Sequence, residues 1–366
     1  MLARPDSARQ VYPMSFPNAE ERRQAGLTWQ PPAGTITITT VEAHAEGEPL
    51  RVVLAGVPDP GGGNASARRV TALTSLDAYR RALMWEPRGH ADMYGCLVLP
   101  PATDDAAASV LFLHNEGWST MCGHGILAVS RVLLETSIIP RRAPETRFTL
   151  DTPAGAVRVT AQIREDRVGA IRFRNVPSWV QALEVTQVVP GVGPVTFDLA
   201  FGGAYYAFVD AASIGLELRA DRVAPLIEAA ARIKTSAAAA APPLHPTDPS
   251  LSFLYGVIFT GPAHAPGRHS RHVCVFADGE VDRSPTGTGV SARAAILHAR
   301  GDLDLDQEIV IGSIIGSRFS VRLVERTNTA GATTVVPEVG GRVAITGRCE
   351  WFIEPDDPFA DGFLLR

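Results

Sequence analysis

Two short stretches of this chain put a thiol and a hydroxyl at matching positions, each just ahead of a helix-forming run. The first reads Met121-Cys122-Gly123-His124-Gly125 and is followed by an apolar run over 126–134. The second reads Asp282-Arg283-Ser284-Pro285-Thr286-Gly287-Thr288-Gly289 and is followed by 290–298. Aligned 164 positions apart, Cys122 falls on Thr286, Gly123 on Gly287, His124 on Thr288 and Gly125 on Gly289. Glycine in such a turn lets the backbone approach a ligand closely. The helix that follows opens with N–H groups lacking intrahelical partners, and its dipole adds to their attraction for an anion. Two such ends facing each other would hold one carboxylate from both sides. A cysteine just before a helix has its pKa lowered from about 8.5 to roughly 3.5–7.5. Cys122 is therefore expected as a thiolate near neutrality, placed to take the proton from the carbon beside that carboxylate. Asp282 either caps its turn or, four residues before Thr286, binds a cationic amine. A lone cysteine is more often buried and inert; the second copy in register argues for chemistry here.

The elements around these motifs must position them. Residues 35–41 alternate Thr with Ile, a period-two strand pattern. Residues 51–55, 97–99 and 110–113 read as strands leading into the first motif. Between the motifs, 148–150, 157–161, 170–173, 195–199 and 204–209 read as short strands, and 74–83 and 223–234 have helical periodicity. Residues 126–134 are apolar nearly all round, as in a buried central helix. Gly301 stands where a glycine would end the helix after the second motif. Residues 237–243 read as an Ala/Pro connector, 261–271 as an exposed loop and 327–334 as an insertion. Each half is thus strands, a Gly-X-Gly turn and a buried helix. The division expected is an irregular leader over 1–32, a first unit over 33–196 plus 340–366, and a second over 197–339.

Bulk properties narrow the function classes. The chain has 366 residues, 45% of them apolar, with 34 basic against 39 acidic side chains and no long like-charge block. That balance gives no electrostatic footprint for nucleic acid or a membrane surface. No apolar run reaches the roughly 18 residues of a membrane span, and residues 1–30 lack the apolar core of a secretory signal. The four cysteines Cys96, Cys122, Cys274 and Cys349 are widely spaced, without zinc-ligand spacing. A reduced, cytoplasmic protein without a metal is the expectation.

At these residues the chain resembles the proline racemase family. The resemblance spans about 38–347 and includes His44-Ala45-Glu46-Gly47-Glu48-Pro49, Glu86 through Gly95 (Glu-Pro-Arg-Gly-His-Ala-Asp-Met-Tyr-Gly), Asn115-Glu116-Gly117, Asp151-Thr152-Pro153-Ala154-Gly155, Val176-Pro177-Ser178, Phe201-Gly202-Gly203 and Ser313-Ile314-Ile315-Gly316-Ser317. It implies an α+β, diaminopimelate-epimerase-like fold. That fold has two similar α/β domains, each a curved sheet around a central helix, with the active site in the cleft between them. It also implies catalysis without a cofactor and admits a homodimer. By the resemblance, Gly123, His124, Gly287 and Thr288 hold the substrate carboxylate, and Asp282 accepts from the ring nitrogen. Tyr94 and Phe276 wall the ring, and His245 lies near a ring hydroxyl.

Racemases of the family carry cysteine in both motifs, one removing and one returning the α-proton. Here the second is Thr286, a far weaker acid, as in the subgroup of trans-3-hydroxy-L-proline dehydratases. The expected chemistry is removal of the α-proton by Cys122, loss of the neighbouring hydroxyl as water and tautomerisation to 1-pyrroline-2-carboxylate. Protonated Cys122 or a water beside it would serve the leaving hydroxyl, and Thr286 would bind ligand or fill space. The rival readings are a proline or hydroxyproline racemase or epimerase working through a water at Thr286, and a non-catalytic imino-acid binding protein.

Overall fold

The structure, a computed structural model, describes residues 16–263, 265–329 and 332–365. Among these residues the six α-helices are α1 (Ala19–Thr28), α2 (Ala65–Ser75), α3 (Asp77–Met84), α4 (Gly123–Glu135), α5 (Val223–Ala240) and α6 (Gly287–Arg300). The apolar run behind each motif dictates burial: α4 exposes only Arg131 and Glu135 partly, and α6 is buried from Gly287 to Ala292. A helix apolar on all sides has no face to give to water and must be wrapped. Strands Ile36–Ala45, Glu48–Ala55, Arg167–Arg174 and Val343–Ile353 wrap α4, and Trp179–Val189, Gly193–Phe201, Arg318–Thr329 and Ala332–Gly341 wrap α6.

The duplication is visible in the order of strand pairing. In the first series Val343–Ile353 pairs antiparallel with Ile36–Ala45, which pairs antiparallel with Glu48–Ala55. Glu48–Ala55 runs parallel to Tyr94–Leu99, which is antiparallel to Ala108–His114, itself parallel to Glu145–Thr152. Two antiparallel steps, to Gly155–Arg164 and Arg167–Arg174, complete it. The second series repeats the same sequence of senses: Trp179–Val189, Gly193–Phe201 and Tyr205–Asp210 antiparallel, then Leu254–Pro262 parallel, Ser270–Phe276 antiparallel, Glu308–Gly312 parallel, and Arg318–Thr329 and Ala332–Gly341 antiparallel. Parallel neighbours need a crossover connection. The chain meets this requirement with α4 between Ala108–His114 and Glu145–Thr152, and with α6 between Ser270–Phe276 and Glu308–Gly312. One antiparallel pairing, Arg167–Arg174 with Ala332–Gly341, joins the two series.

Several sequence expectations change. The boundary expected at 196/197 falls inside the strand Gly193–Phe201, both of whose partners belong to the second series; the boundary at 339/340 likewise falls inside Ala332–Gly341. Within the expected irregular leader, 19–28 is helical, because Asn18 and Glu21 form a capping box ahead of good helix formers; residues 1–15 lie outside the described residues. The expected connector after 237 is helical to Ala240, since alanine is the best helix former and only Pro242 stops it. In the expected insertion over 327–334, residues 327–329 pair antiparallel with 332–334; 330 and 331 lie outside the described residues. Gly301 ends α6 at φ 80° as anticipated. Among the described residues no helix is long and apolar enough to cross a membrane.

The two central helices meet end to end at their first residues. A Cβ on Gly287 would stand 2.4 Å from Gly123 Cα, and a Cβ on Gly123 the same distance from Gly287 Cα. Backbone touches backbone, and neither partner is a flexible side-chain tip that could turn aside. Gly287→Ala should therefore force the helices apart at a cost of about 1–3 kcal/mol or more, read as a lower urea midpoint at unchanged slope. An unchanged midpoint would contradict the contact.

Candidate active site

Cys122 is the N-cap residue of α4, in extended backbone (φ −144°, ψ 112°), and its Sγ accepts from the Gly125 amide at 3.2 Å. His124 Nδ1 lies 3.2 Å from the same sulfur. Both side chains are buried. Burial pushes the thiol well above its ordinary pKa; the Gly125 N–H pulls it down, while the negative charges of Asp282 and Glu48 push it further up. The free site therefore holds a protonated thiol and not the thiolate expected from the sequence. Loss of water around the sulfur outweighs the helix end. Burial also drives the His124 imidazole down to about 4, so its ring is neutral and a weak base in the free site.

Thr286 occupies the matching position before α6 but not the matching geometry. It sits at φ 67°, ψ 100° and makes no side-chain cap, a conformation in which a β-branched residue is an outlier. Side chains wind the turn that imposes it: the Ser284 amide donates to Asp282 Oδ1 at 2.7 Å, and the Thr286 amide to Ser284 Oγ at 3.1 Å. The Thr286 hydroxyl is buried and lies beside the Cys274 thiol, whose pKa it draws down, at a geometry short of a full hydrogen bond. The two copies thus differ in backbone as well as in side chain, which the alignment of the motifs did not reveal.

Cys122, Gly123, His124, Asp282, Thr286, Gly287 and Thr288 line one cavity of about 20 Å3, with Tyr94, Phe276, Met121, Tyr206 and Tyr255. Nine of the ten residues singled out from the sequence converge there. His245 does not: its ring packs on Trp179 and Phe201 at 5.3 and 5.0 Å, and its Nδ1 accepts the Asp248 amide at 3.0 Å. The turn that follows it holds the ring inward against that aromatic pair. A cavity of this size holds about one water, so the cleft is closed. Among the described residues there is no cluster of three or more metal-ligating side chains.

Sequence reasoning missed several polar groups at this cleft. The Tyr94 hydroxyl contacts Ser119 Oγ at 2.5 Å and the Tyr255 hydroxyl at 3.1 Å, and the Tyr255 ring stacks on Phe276. Tyr206 bonds Thr288 Oγ1 at 2.7 Å. His114 Nδ1 lies 3.2 Å from Glu280 Oε1, both buried, behind the Tyr94 ring. The Arg283 amide donates to buried Glu48 at 2.6 Å and its guanidinium to the Asp92 carbonyl at 2.7 Å, tying the first series to the second. Ser119 and Arg283 adjoin the motifs and Glu48 lies in the 44–49 stretch, so proximity was a signal. Tyr206 and Tyr255 are aromatics in strand patterning, indistinguishable from core.

Buried neutral histidines set the acid limit of stability. His124 at about 4 and His272, which burial drives to about 3, lie below the ordinary 6.5. A depressed pKa contributes stability that is present above 6.5 and is lost as pH falls toward the folded value. Each histidine steepens that loss by about 1.4 kcal/mol per pH unit. Denaturation midpoints between pH 6.5 and 4 should fall, and His272→Leu should flatten the slope by that amount. An unaltered slope would mean the ring is already charged when folded.

The chain matches the family model described as proline racemase over residues 40–364. It is 42% identical over 341 residues to a trans-3-hydroxy-L-proline dehydratase of Colwellia psychrerythraea, covering 92% of this chain and 96% of that one. It is 41% identical over 330 residues to a 3-hydroxyproline 2-epimerase of Burkholderia multivorans, covering 90% and 98%. Among solved structures, a hydroxyproline epimerase from Agrobacterium vitis with bound trans-4-hydroxy-L-proline superposes with a TM-score of 0.85 at 32% identity, covering 90% and 95%. The α+β, diaminopimelate-epimerase-like architecture, the paired helix ends and these likenesses agree, and the chain belongs to the proline racemase family.

Proposed function

We propose that the protein dehydrates trans-3-hydroxy-L-proline to 1-pyrroline-2-carboxylate, with Cys122 as the only catalytic thiol. The observation that carries this reading is the single thiol: Cys122 lines one side of the cavity and Thr286 stands at the matching position before α6. The substrate carboxylate lies between the first amides of α4 and α6, from Gly123, His124, Gly287 and Thr288, whose dipoles favour an anion. Asp282, with Oδ1 already taken by Ser284, offers its other oxygen to the cationic ring nitrogen. That cation offsets the Asp282 charge that opposes the thiolate, and the thiol proton leaves with the water that the substrate displaces. Tyr94 and Phe276 flank the ring.

The thiolate removes the α-proton and the helix ends stabilise the enediolate charge that develops. The electron pair forms a carbon–carbon double bond as the 3-hydroxyl departs with its bonding pair and gains a proton. The enamine then tautomerises. In this substrate the α-hydrogen and the hydroxyl share one ring face, so one base on one side suffices. The relative named a 3-hydroxyproline 2-epimerase keeps a second reading in play, in which a proton returns to the opposite face by way of water.

Proton NMR of the protein with trans-3-hydroxy-L-proline in deuterated buffer separates the two. Dehydration consumes substrate and yields 1-pyrroline-2-carboxylate. Epimerisation yields an inverted product deuterated at the α-carbon with no water lost. Cys122→Ser should lower turnover at least ~1,000-fold, since the base acts in every turnover; appreciable residual rate would end the single-thiol mechanism. Thr286→Cys should add α-carbon epimerisation to the products. A folded variant without it would show that the φ 67° backbone, and not the hydroxyl alone, blocks the second proton transfer.

A further inference from the structure

We propose that Tyr255 is the acid of this site, donating its phenol proton to the oxygen that leaves the substrate ring, with Tyr94 and Ser119 as positioning residues behind it. The inference rests on the dehydration proposed above and supplies the proton that the leaving hydroxyl requires.

Three hydroxyls stand in a row: Ser119 Oγ, the Tyr94 hydroxyl at 2.5 Å and the Tyr255 hydroxyl at 3.1 Å from Tyr94. Each has one proton to donate. When Ser119 donates to Tyr94 and Tyr94 to Tyr255, the Tyr255 proton has no partner in the row and is available to the cavity that both tyrosines line. Burial holds both phenols in the protonated form, so the acid is loaded before substrate arrives. Arg69, whose side chain donates to the Trp118 carbonyl at 2.7 Å, lies close enough for its charge to act on Tyr255 and Tyr94; that charge favours the phenolate left after transfer.

Position selects this group over its neighbours. The Tyr94 ring meets His124 edge-on at 4.9 Å, and His124 is 3.2 Å from the Cys122 sulfur, so the tyrosine pair stands on the side of the base. The α-hydrogen and the hydroxyl of trans-3-hydroxy-L-proline share a face, and the acid must stand on that side too. The Thr288 hydroxyl is occupied by Tyr206. Thr286 stands at the position matching Cys122, and although burial raises the Tyr255 phenol, the same desolvation acts on the buried Thr286 alkanol, which stays the weaker acid.

The protons balance. Cys122 gains the α-proton, the Cα–H pair forms the double bond, and the C3–O pair leaves with the oxygen, which takes the Tyr255 proton and departs as water. The Cys122 thiol proton then passes through that water to the Tyr255 phenolate, and both groups are restored.

A leaving group that needs no proton tests this directly. Trans-3-fluoro-L-proline loses fluoride, so Tyr255→Phe should lower turnover of the hydroxy substrate ~100-fold or more, within the range of general acid catalysis, while keeping the fluoro compound within ~5-fold of the unmodified protein. Tyr94→Phe should show the same bias at smaller size. Equal losses on both compounds, or no loss on either, would overturn the assignment. If Tyr255→Phe does not fold, the solvent isotope effect on kcat/KM of the unmodified protein decides: a larger effect with the hydroxy substrate supports the acid, and equal effects overturn it. No turnover of either compound by the unmodified protein would overturn the dehydratase reading and the acid with it.

Discussion

The contact between Gly123 and Gly287 governs the rest of this molecule. Two helices that open at the same point present two positive dipole ends to each other. Half a charge on each, ~4 Å apart at an effective dielectric of ~20, costs about 1 kcal/mol. The fold accepts that cost because each helix is the crossover of a parallel strand pair in a repeated series, buried on every side by its own sheet. Only glycine leaves room for the approach. An anion between the ends would turn that repulsion into attraction.

The same desolvation that makes the core stable keeps the site uncharged. It raises the Cys122 thiol and lowers His124 to about 4, leaving a protonated sulfur beside a neutral imidazole. The helix end and the Gly125 amide work in the other direction and lose. In the proposed reaction a zwitterionic imino acid would change that outcome by bringing both charges at once, a cation beside Asp282 and an anion between the helices. On that reading the thiolate would form only where it is used, and not in a free cleft where it would be open to side reactions.

The sequence made the chemistry more legible than the geometry. Paired motifs marked Cys122, Thr286 and the two facing helix ends, because glycine spacing and helix-forming runs are local signals. The long buried helices were legible for the same reason, and α1 was missed only because its capping box lies in a polar stretch without an apolar face. The unit boundary was misread because pairing partners are not local: Gly193–Phe201 resembles any strand, and only its neighbours assign it to the second series. Tyr255 and Tyr206 were invisible, since an aromatic in a strand reads as core whether or not its hydroxyl faces a cavity. His245 was misplaced because its ring is fixed by the turn after it and by Trp179 and Phe201. The φ 67° of Thr286 had no sequence mark beyond the preceding Ser-Pro.

Closure of the cleft follows from unequal fastenings. A cavity of about 20 Å3 admits no ring-sized acid, so a ligand reaches the sulfur only when the two series part. Backbone joins them along Arg167–Arg174 and Ala332–Gly341, a ladder of main-chain pairs. Side chains join them at the mouth, where Arg283 meets Glu48 and Asp92, and Ser66 reaches Asp248 at 3.3 Å. Removing a strand ladder leaves several buried N–H and C=O groups unpaired, each at about 1–3 kcal/mol, whereas a half-exposed Arg283 released from its partners is rehydrated. Buried pairs cross between the series as well, His114 with Glu280 and Tyr94 with Tyr255, so parting the series must also break these, while the partly exposed Arg283 is rehydrated when released. Arg283 immediately follows Asp282, so a movement that frees Arg283 also moves the Asp282 carboxylate that lines the cavity.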